Sequence, residues 1–224
     1  MEIKPIARIQ SDFKTKFGIP RQPGLAPDLE ALIVFEEEFR NPDALRGLVE
    51  FSHIWIIWEF SENIRAEFSP TVRPPRLGGD VRLGVFATRS PFRPNPIGLS
   101  CVKILGIEHS TEYGTFIRVS GADLMDSTPI YDIKPYVPYT DSHPDALNGF
   151  TSQSFHEVEV VCSGELLARI PESKRAGLLQ ALSQDPRPAY HNDPERIYGM
   201  DFSDYDVRFK VDGDTLTVTD IVKK

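Results

Sequence analysis

Short runs of β-branched and aromatic residues, bounded by glycine, proline or aspartate, recur along most of the chain. Such runs predict β-strands, because these side chains pack well on a pleated surface and the bounding residues favour turns. Glu112-Tyr113-Gly114 and the Asp212-Gly213 pair each predict a hairpin between two runs. The predicted strands cover residues 3–9, 32–35, 52–60, 81–88, 99–107, 115–119, 155–161, 207–211 and 216–218.

Two helices are predicted from the same pattern. A short one is expected to begin at Asn41-Pro42, since asparagine caps helix N-termini and proline suits the first turn. A longer one is expected over about residues 171–183, where Leu178, Leu179 and Leu182 form an apolar stripe. So many strands with so few helices favour a barrel or another closed sheet.

The predicted fold class is mostly β, with an N-terminal single-sheet antiparallel β-barrel and a small C-terminal α+β domain. We expect the barrel to span residues 1–145 and the second domain to span residues 146–224. The stretch over residues 140–149 is polar and contains a proline, which is typical of a connection between domains.

Composition places the chain among ordinary globular proteins, with 40% hydrophobic and 26% charged residues in 224. A net charge of −8 argues against nucleic acid as a partner. Residues 65–103 are the exception, because arginines there far outnumber acidic side chains. Arginine forks onto phosphates and stacks on bases, but these arginines could equally pair with acidic neighbours across the fold. Charge alone does not decide between nucleic-acid binding and ion pairing within the fold.

Other features of the composition indicate a cytoplasmic protein. The longest apolar run, over residues 54–58, is far too short to span a bilayer, and the first residues lack the apolar core of a signal peptide. Cys101 and Cys162 lie in strand-like segments and are expected to be buried thiols rather than a disulfide or metal ligands.

The loop within residues 84–100 is the strongest candidate for a functional element. It carries Arg89, Arg93 and Asn95 among three prolines, between two apolar runs. Proline fixes φ and restricts the residue before it, so these polar side chains are held with little conformational freedom. A rigid loop that is rich in hydrogen-bond donors suits an anionic or heteroaromatic ligand.

Three further segments, over residues 18–25, 70–79 and 121–136, share this density of proline, glycine and polar groups. Each alone could be turn chemistry, with Asp123 and Asp126 capping turns. Four in one small domain favour a common site, because loops at one end of a barrel converge. The sequence lacks the glycine fingerprints of dinucleotide and phosphate sites, a nucleophile elbow, and Cys/His pairs at metal-ligand spacing.

Taken in order, five motifs closely resemble those of the TrmO family, also called TsaA-like or YaeB, of tRNA (adenine-N6)-methyltransferases. The resemblance runs from the first strand to the end of the chain. The motifs are Pro20-Arg-Gln-Pro-Gly-Leu25, Arg73-Pro-Pro-Arg-Leu-Gly-Gly79, Gly84-Val-Phe-Ala-Thr-Arg-Ser-Pro-Phe-Arg-Pro-Asn-Pro-Ile-Gly98, Asp132-Ile-Lys-Pro-Tyr136 and Asp185-Pro-Arg-Pro-Ala-Tyr190.

This resemblance implies methyl transfer from S-adenosylmethionine to N6 of the threonylcarbamoyl-adenosine beside the tRNA anticodon. It implies a β-barrel enzyme, a homodimer with the cofactor near the subunit interface, and no metal. Two departures from the family pattern concern Ser61-Glu62, where His-Gln is common, and Ser127, which replaces the glycine of Asp-Gly-Thr. The implied cofactor contacts are Pro20, Arg21, Gln22, Ser61, Glu62, Arg89, Leu99, Ser120, Gly121, Ala122 and Asp123.

Methylating N6 requires groups that accept hydrogen bonds from the target amine, and the candidates are Asn95, Asp126 and Asp185. The sequence does not choose among them. Tyr190 offers a flat face on which a base can stack, so the C-terminal domain is expected to handle the tRNA substrate, although a purely structural hinge is the alternative. The candidate RNA-binding residues are Arg65, Arg73, Arg76, Arg93 and Arg187.

Two other functions are compatible with the same motifs. One is a noncatalytic barrel that binds a small ligand or RNA, and the other is a methyltransferase that acts on a different small substrate. Cofactor binding separates the first from an enzyme, and analysis of tRNA nucleosides separates the second from a tRNA methyltransferase.

Overall fold

The computed structural model describes residues 2–64, 67–74, 77, 81–152, 157–188, 191 and 193–224. Strands outweigh helices in this part of the chain. The strands are β1 (Ala7–Gln10), β2 (Glu30–Phe35), β3 (His53–Glu59), β4 (Thr71–Val72), β5 (Leu83–Gly84), β6 (Ile97–Ser110), β7 (Gly114–Ser120), β8 (Pro129–Pro135), β9 (Glu159–Val161), β10 (Tyr198–Phe202), β11 (Tyr205–Asp212) and β12 (Thr215–Lys223). The α-helices are α1 (Pro138–Asp141), α2 (Gly164–Leu167) and α3 (Glu172–Ser183).

Six strands close into a ring in the order β1-β2-β7-β6-β3-β8, and every neighbouring pair is antiparallel. Successive side chains of a strand point to opposite faces, and in β3 the inward set Ile54, Ile56 and Trp58 is buried. These side chains pack with others such as Ile33 and Ile117 to form the core of the ring. The prediction of a mostly β chain with a closed antiparallel sheet in its first part is confirmed.

The strand predicted over residues 81–88 is wrong for most of its length. Only Leu83–Gly84 is extended, paired with β4, and a 3-10 turn follows over Val85–Ala87. The turn buries Val85 and leaves Phe86 on the surface. A single buried residue beside an exposed one looks the same in sequence for a strand and for a turn.

The sequence pattern does not predict β8 and β10. β8 closes the ring, yet its residues Asp132 and Lys134 alternate with apolar ones between two prolines, which is typical of a loop. These two side chains form an ion pair of 2.9 Å on the outside of the ring. The two charged side chains of this segment are therefore used in pairing with each other.

A second sheet follows the ring, with the strand order β10-β11-β12-β9. Helix α3 packs its buried residues Leu178, Ala181 and Leu182 into the core of this sheet. Three residues from the start of the chain, Phe13, Ala26 and Leu29, are buried in the same core. The segment between β1 and β2 thus belongs by its packing to the C-terminal sheet.

Local predictions for caps and turns agree with the structure. Asn41 accepts a hydrogen bond of 3.0 Å from the backbone N–H of Asp43 at the start of a 3-10 turn over Pro42–Leu45. Both predicted hairpins form, one joining β6 to β7 and the other joining β11 to β12. The long helix α3 lies within the expected range.

Two global features bear on the class of protein. None of the helices in the described ranges is long and apolar enough to cross a membrane. Cys101 and Cys162 are both free and half-buried, and burial raises the pKa of each thiol.

Candidate functional site

The loop between β5 and β6 is held by hydrogen bonds of its own. The carbonyl of Val85 accepts from the hydroxyl of Thr88 at 2.9 Å and from the guanidinium of Arg93 at 3.2 Å. The same guanidinium donates to the carbonyl of Thr88 at 2.8 Å. Arg93 therefore clamps the turn that precedes Arg89. The rigidity expected from the prolines is reinforced by a side chain that had been considered only as an RNA contact.

Direct contacts join this loop to two other motifs. A guanidinium nitrogen of Arg89 donates to the side-chain oxygen of Gln22 at 2.6 Å. Arg21, the neighbour of Gln22, donates to the backbone carbonyl of Asp185 at 3.4 Å. Residues far apart in the sequence thus meet where the ring faces the C-terminal sheet.

The segment that follows β7 approaches the same place through its backbone. The N–H of Gly24 donates to the carbonyl of Gly121 at 2.8 Å, and the N–H of Gly121 donates to the carbonyl of Leu29 at 2.9 Å. Gly121 has φ of 74°, and a Cβ atom there would lie 3.0 Å from the Cα of Gly24. Only glycine allows both the left-handed backbone and this close approach.

A hydrogen-bonded chain of three side chains ends at Asp123. The indole N–H of Trp58 donates to the hydroxyl of Ser100 at 2.9 Å, and that hydroxyl donates to Oδ1 of Asp123 at 2.6 Å. Because the indole can only donate, it leaves the single hydroxyl proton of Ser100 for the carboxylate. The indole reaches Ser100 by lying across Gly98, where a Cβ atom would fall 2.3 Å from the ring.

Asp123 is the strongly perturbed titratable group of this region. Burial raises the pKa of its carboxyl from 3.8 to about 6, because a buried charge loses solvation by water. The hydrogen bond from Ser100, the backbone N–H of Asp123 itself and the positive charge of Arg89 all act in the opposite direction, and together they do not offset burial. A partly buried carboxylate beside Arg89 favours a cationic or hydroxyl-bearing ligand.

We expect the folded state to lose stability as pH rises from 4 to 6, through the titration of Asp123. In this window the unfolded chain has released the proton and the folded chain retains it, so ionising the folded state costs free energy. Asp123→Asn removes this cost. The measurement is the unfolding temperature of both proteins from pH 4 to 7.5. The unfolding temperature of the wild type should decrease relative to that of the variant up to about pH 6, and above pH 6 the difference between them should stay constant.

Asp141→Asn is the control of opposite sign for this titration. Hydrogen bonds from the backbone of Val137 and the indole of Trp55 lower the pKa of the Asp141 carboxyl. Stability contributed by Asp141 is fully present above its ordinary pKa of 3.8 and is lost only below it, so the difference between this variant and the wild type should stay constant from pH 4 to 7.5 and shrink only when the measurement is extended below pH 4. A difference between wild type and Asp123→Asn that stays constant from pH 4 to 6 would contradict the assigned titration.

Of the three candidate acceptors for the target amine, Asp126 is used within the fold. Its carboxylate accepts from the backbone N–H of Ser11 at 3.0 Å and from the hydroxyl of Ser127 at 3.3 Å. Ser127 has φ of 64°, in the left-handed region that favours glycine. The departure from Asp-Gly-Thr therefore keeps the turn, at a cost in backbone strain.

Asp185 and Arg187 form an ion pair of 2.9 Å after helix α3. The guanidinium of Arg187 also donates to the carbonyl of Gly213 at 3.2 Å, and its side chain is only 15% exposed. These contacts connect the end of the helix to the β11–β12 hairpin. They occupy the guanidinium of Arg187, so few of its N–H groups are available to a phosphate. The backbone of Asp185, with φ of 47°, faces Arg21 instead.

The remaining predicted site residues occupy several environments. Ser120 and Ala122 are buried beside Gly121, and Pro20 is buried before Arg21. Ser61 and Glu62 lie in a 3-10 turn after β3, where the carbonyl of Glu62 accepts from Lys16 at 2.8 Å. The others are the exposed residues Leu99, on the outer face of β6, Arg73 and Asn95. Arg65, Arg76 and Tyr190 lie outside the described residues.

Sequence reasoning missed Trp58 and Ser100. Both were interpreted as ordinary strand positions, and neither stands in a motif that suggests polar chemistry. The available signal was Gly98 at the end of the proline-rich loop, because a glycine at the start of a buried strand indicates close approach by another group. Among the described residues, no group of three or more His, Cys, Asp or Glu side chains could hold a metal ion.

A closed antiparallel ring with a rigid arginine-bearing loop and a partly buried carboxylate places the chain among mostly β proteins, which differ from the doubly wound α/β proteins that bind ligands at a parallel sheet. Two family models match the chain. The tRNA-methyltransferase O N-terminal domain matches residues 8–142, and the TrmO C-terminal domain matches residues 157–224. The chain belongs to the TrmO family.

Individual relatives agree with this assignment. The tRNA (adenine(37)-N6)-methyltransferase of Escherichia coli K12 is 39% identical over 220 residues, covering 94% of this chain and 93% of the relative. The enzyme of that name from Eikenella corrodens is 47% identical over 163 residues, covering 72% of this chain and 92% of the relative. The crystal structure of TrmO from Pseudomonas aeruginosa superposes with a TM-score of 0.81 at 35% identity, covering 100% of this chain and 97% of that one.

Proposed function

We propose that this protein transfers the methyl group of S-adenosylmethionine to N6 of threonylcarbamoyl-adenosine at position 37 of tRNA. The observation that carries the proposal is the meeting of Arg21, Gln22, Arg89 and Asp123 around one place, in a chain of the TrmO family. The relatives from Escherichia coli and Eikenella corrodens bear the name of this activity.

The residues around Asp123 suit S-adenosylmethionine by their chemistry. This cofactor has a positively charged sulfonium and ammonium, ribose hydroxyls and a carboxylate. Asp123 supplies a partly buried negative charge and Arg89 an exposed positive one. When bound, the cofactor supplies an activated methyl group, so the reaction needs no metal.

The chain itself has to orient the acceptor amine and accept hydrogen bonds from its N–H groups, and one N–H proton is released to solvent once the new N–C bond has formed. The adenine N6 is a weak nucleophile, because its lone pair is delocalised into the ring. Acceptors for its N–H groups raise the electron density on nitrogen, and the proposal that Asn95 takes this role is supported by its exposure on the rigid loop. Asp126 and Asp185 have carboxylates already bonded within the fold, so we favour Asn95 among the three candidates.

We further propose the division of labour and assembly that the resemblance implies. Residues 1–145 form a barrel that binds the cofactor, and residues 146–224 handle the tRNA. Two chains pair through the outer face of the ring, where Ile97 and Leu99 are exposed apolar residues on neighbouring outward positions of β6. A tRNA substrate implies that the protein works in the cytoplasm.

The decisive experiment is mass spectrometry of tRNA nucleosides after incubation of the pure protein with S-adenosylmethionine. Two substrates are compared, tRNA with and without threonylcarbamoylation. We expect methylation only of the threonylcarbamoylated tRNA. Cofactor binding in calorimetry without methylation of either tRNA would instead favour a noncatalytic barrel. Methylation of another small acceptor would favour a methyltransferase that acts on a different small substrate.

We expect tRNA affinity to weaken as the salt concentration rises. In a plot of the logarithm of the binding constant against the logarithm of the salt concentration, the steepness of the slope should decrease by about one for each phosphate contact removed. Arg73 follows β4 and Arg82 precedes β5, so the two stand at the same end of this antiparallel pair, and neither forms an ion pair within the described residues. Arg73→Ala and Arg82→Ala should each reduce the slope, which is measured from the dissociation constant at several salt concentrations.

Lys174→Ala and Arg175→Ala are the matched controls for the salt dependence. Lys174 forms an ion pair with Asp12, and Arg175 donates to the carbonyl of Ile170 at 2.9 Å. Both charges are used within the fold, so neither variant should change the slope. Equal losses in the test and control variants would contradict a localised RNA surface.

A further inference from the structure

Two exposed phenylalanine side chains lie together beside the arginine-bearing loop. Phe86 is 70% exposed and Phe68 is 53% exposed, although both are large apolar side chains. Their ring centroids are 6.2 Å apart with an angle of 25° between the planes, so the two rings are nearly parallel. We call Phe68 and Phe86 the phenylalanine pair. Leaving both rings in water forfeits the stabilisation that burial would provide, which points to a partner.

The position of Phe86 is fixed by the turn that carries it. Val85 is buried, and its N–H donates to the carbonyl of Pro70 at 2.9 Å. Its carbonyl accepts from Thr88 and Arg93, as described above. The ring of Phe86 therefore projects from a rigid base, and little conformational entropy is lost when a ligand binds to it.

One arginine contacts the phenylalanine pair, and two others flank the neighbouring strands β4 and β5. The guanidinium carbon of Arg93 lies 5.6 Å from the centroid of the Phe86 ring, in a cation–π contact. Arg82 precedes β5, and Arg73 follows β4 on the paired strand. Aromatic rings interleaved with arginines are the composition of surfaces that bind single-stranded nucleic acid, where bases stack on rings and phosphates meet guanidinium groups.

We infer that the phenylalanine pair is a stacking surface for an unpaired base of the RNA substrate. The inference rests on the proposed function, and it names a contact that the reaction itself does not require. Phe86 stands three residues before Arg89, so a base on this surface lies close to the loop that contacts Gln22. The occupant is a base of the anticodon loop next to the methylated one, because bases in a loop are unpaired and free to stack.

The test measures binding of an anticodon stem-loop RNA that carries threonylcarbamoyl-adenosine, without cofactor. Phe86→Ala should weaken binding about tenfold, within the range that base–aromatic stacking contributes. Phe86→Tyr keeps the flat ring and should bind like the wild type, whereas Phe86→Leu keeps an apolar surface without the ring and should bind like the alanine variant. The salt slope should be unchanged in all three, in contrast to Arg82→Ala.

A fluorescent base gives a second and direct readout. With 2-aminopurine in place of each loop base in turn, one position should lose fluorescence on binding to the wild type and keep it with Phe86→Ala. Tyr139→Ala is the matched control, because Tyr139 is an exposed aromatic residue on α1, away from the positive stretch. It should bind RNA like the wild type.

Three results would count against the inference or its basis, and they can be told apart. Unchanged RNA affinity in Phe86→Ala, while the wild type methylates tRNA, overturns the stacking surface alone. If Phe86→Leu equals the wild type and Phe86→Ala alters the oligomeric state in gel filtration, the pair contacts a second copy of this chain. A wild type that binds the cofactor and methylates no tRNA overturns the proposed function, and the stacking surface with it.

Discussion

We expect Arg89→Ala to lower kcat/KM for tRNA methylation about 100-fold and to leave the unfolding temperature within about 2–4 °C of the wild type. The guanidinium of Arg89 is exposed, and it donates to the side-chain oxygen of Gln22 at 2.6 Å. An exposed arginine contributes about 0–1 kcal/mol to folding stability. In a chain of this length, a loss of about 1 kcal/mol lowers the unfolding temperature by about 2–4 °C. A lost charge-assisted contact in a ligand site costs about 1.5–3 kcal/mol.

Two further variants show whether the Arg89 effect comes from geometry or from charge. Arg89→Lys keeps the charge without the planar fork and should recover only part of the activity. Arg46→Ala removes an exposed arginine that pairs with Asp43 at 2.5 Å, far along the chain from the loop, and should leave activity unchanged. If Arg89→Ala unfolds and its folded fraction has normal specific activity, Arg89 is a structural residue.

We expect Gly98→Ala to lower the free energy of unfolding by about 1–3 kcal/mol, because the added methyl group crowds the well-packed core of the ring. The added Cβ atom would lie 2.3–2.6 Å from three ring carbons of Trp58, so the indole has to move. Moving the indole also breaks its hydrogen bond to Ser100, which in turn holds Asp123. Cofactor affinity should therefore fall together with stability. Chemical denaturation measures the first loss and calorimetry the second.

Gly84→Ala is the matched control for this substitution. Gly84 begins the same loop, its φ is −58°, and no heavy atom lies within 4 Å of an added Cβ. It should be as stable as the wild type. A second check combines Gly98→Ala with Trp58→Leu, and the two changes should cost less together than the sum of their separate costs. Additive costs would show that Gly98 is not constrained by the indole.

The sequence predicted the site at the level of loops and failed at the level of strand pairing. Gln22 and Arg89 stand in motifs that look rigid and polar, so their convergence could be inferred from local chemistry. Trp58 and Ser100 meet because β3 and β6 are neighbours in a register that pairs Trp58 with Gly98. That register is set by closure of the whole ring, and no local pattern carries it.

The errors in the predicted elements have the same origin. β8 is held between β1 and β3, and its outward pair of Asp132 and Lys134 hides a strand that the ring requires. Residues 85–87 form a turn because Val85 is bonded to Pro70, which lies in a different segment. In both cases distant contacts override the local preference, as they often do for short strands.

Phe13, Ala26 and Leu29 have a consequence for the order in which the protein matures on the ribosome. The loop with Arg21 and Gln22 lies between these three residues, and all three are buried in a core that contains β10, β11 and β12. Domains generally fold from the N-terminus as they are synthesised. The strands of the ring are complete by residue 135. The segment between β1 and β2, which carries Arg21 and Gln22, cannot pack against its core until β12 has emerged. A nascent chain of this protein therefore anchors the segment with Arg21 and Gln22 only after β12 has emerged, and premature termination within β12 would release a ring with that segment unanchored.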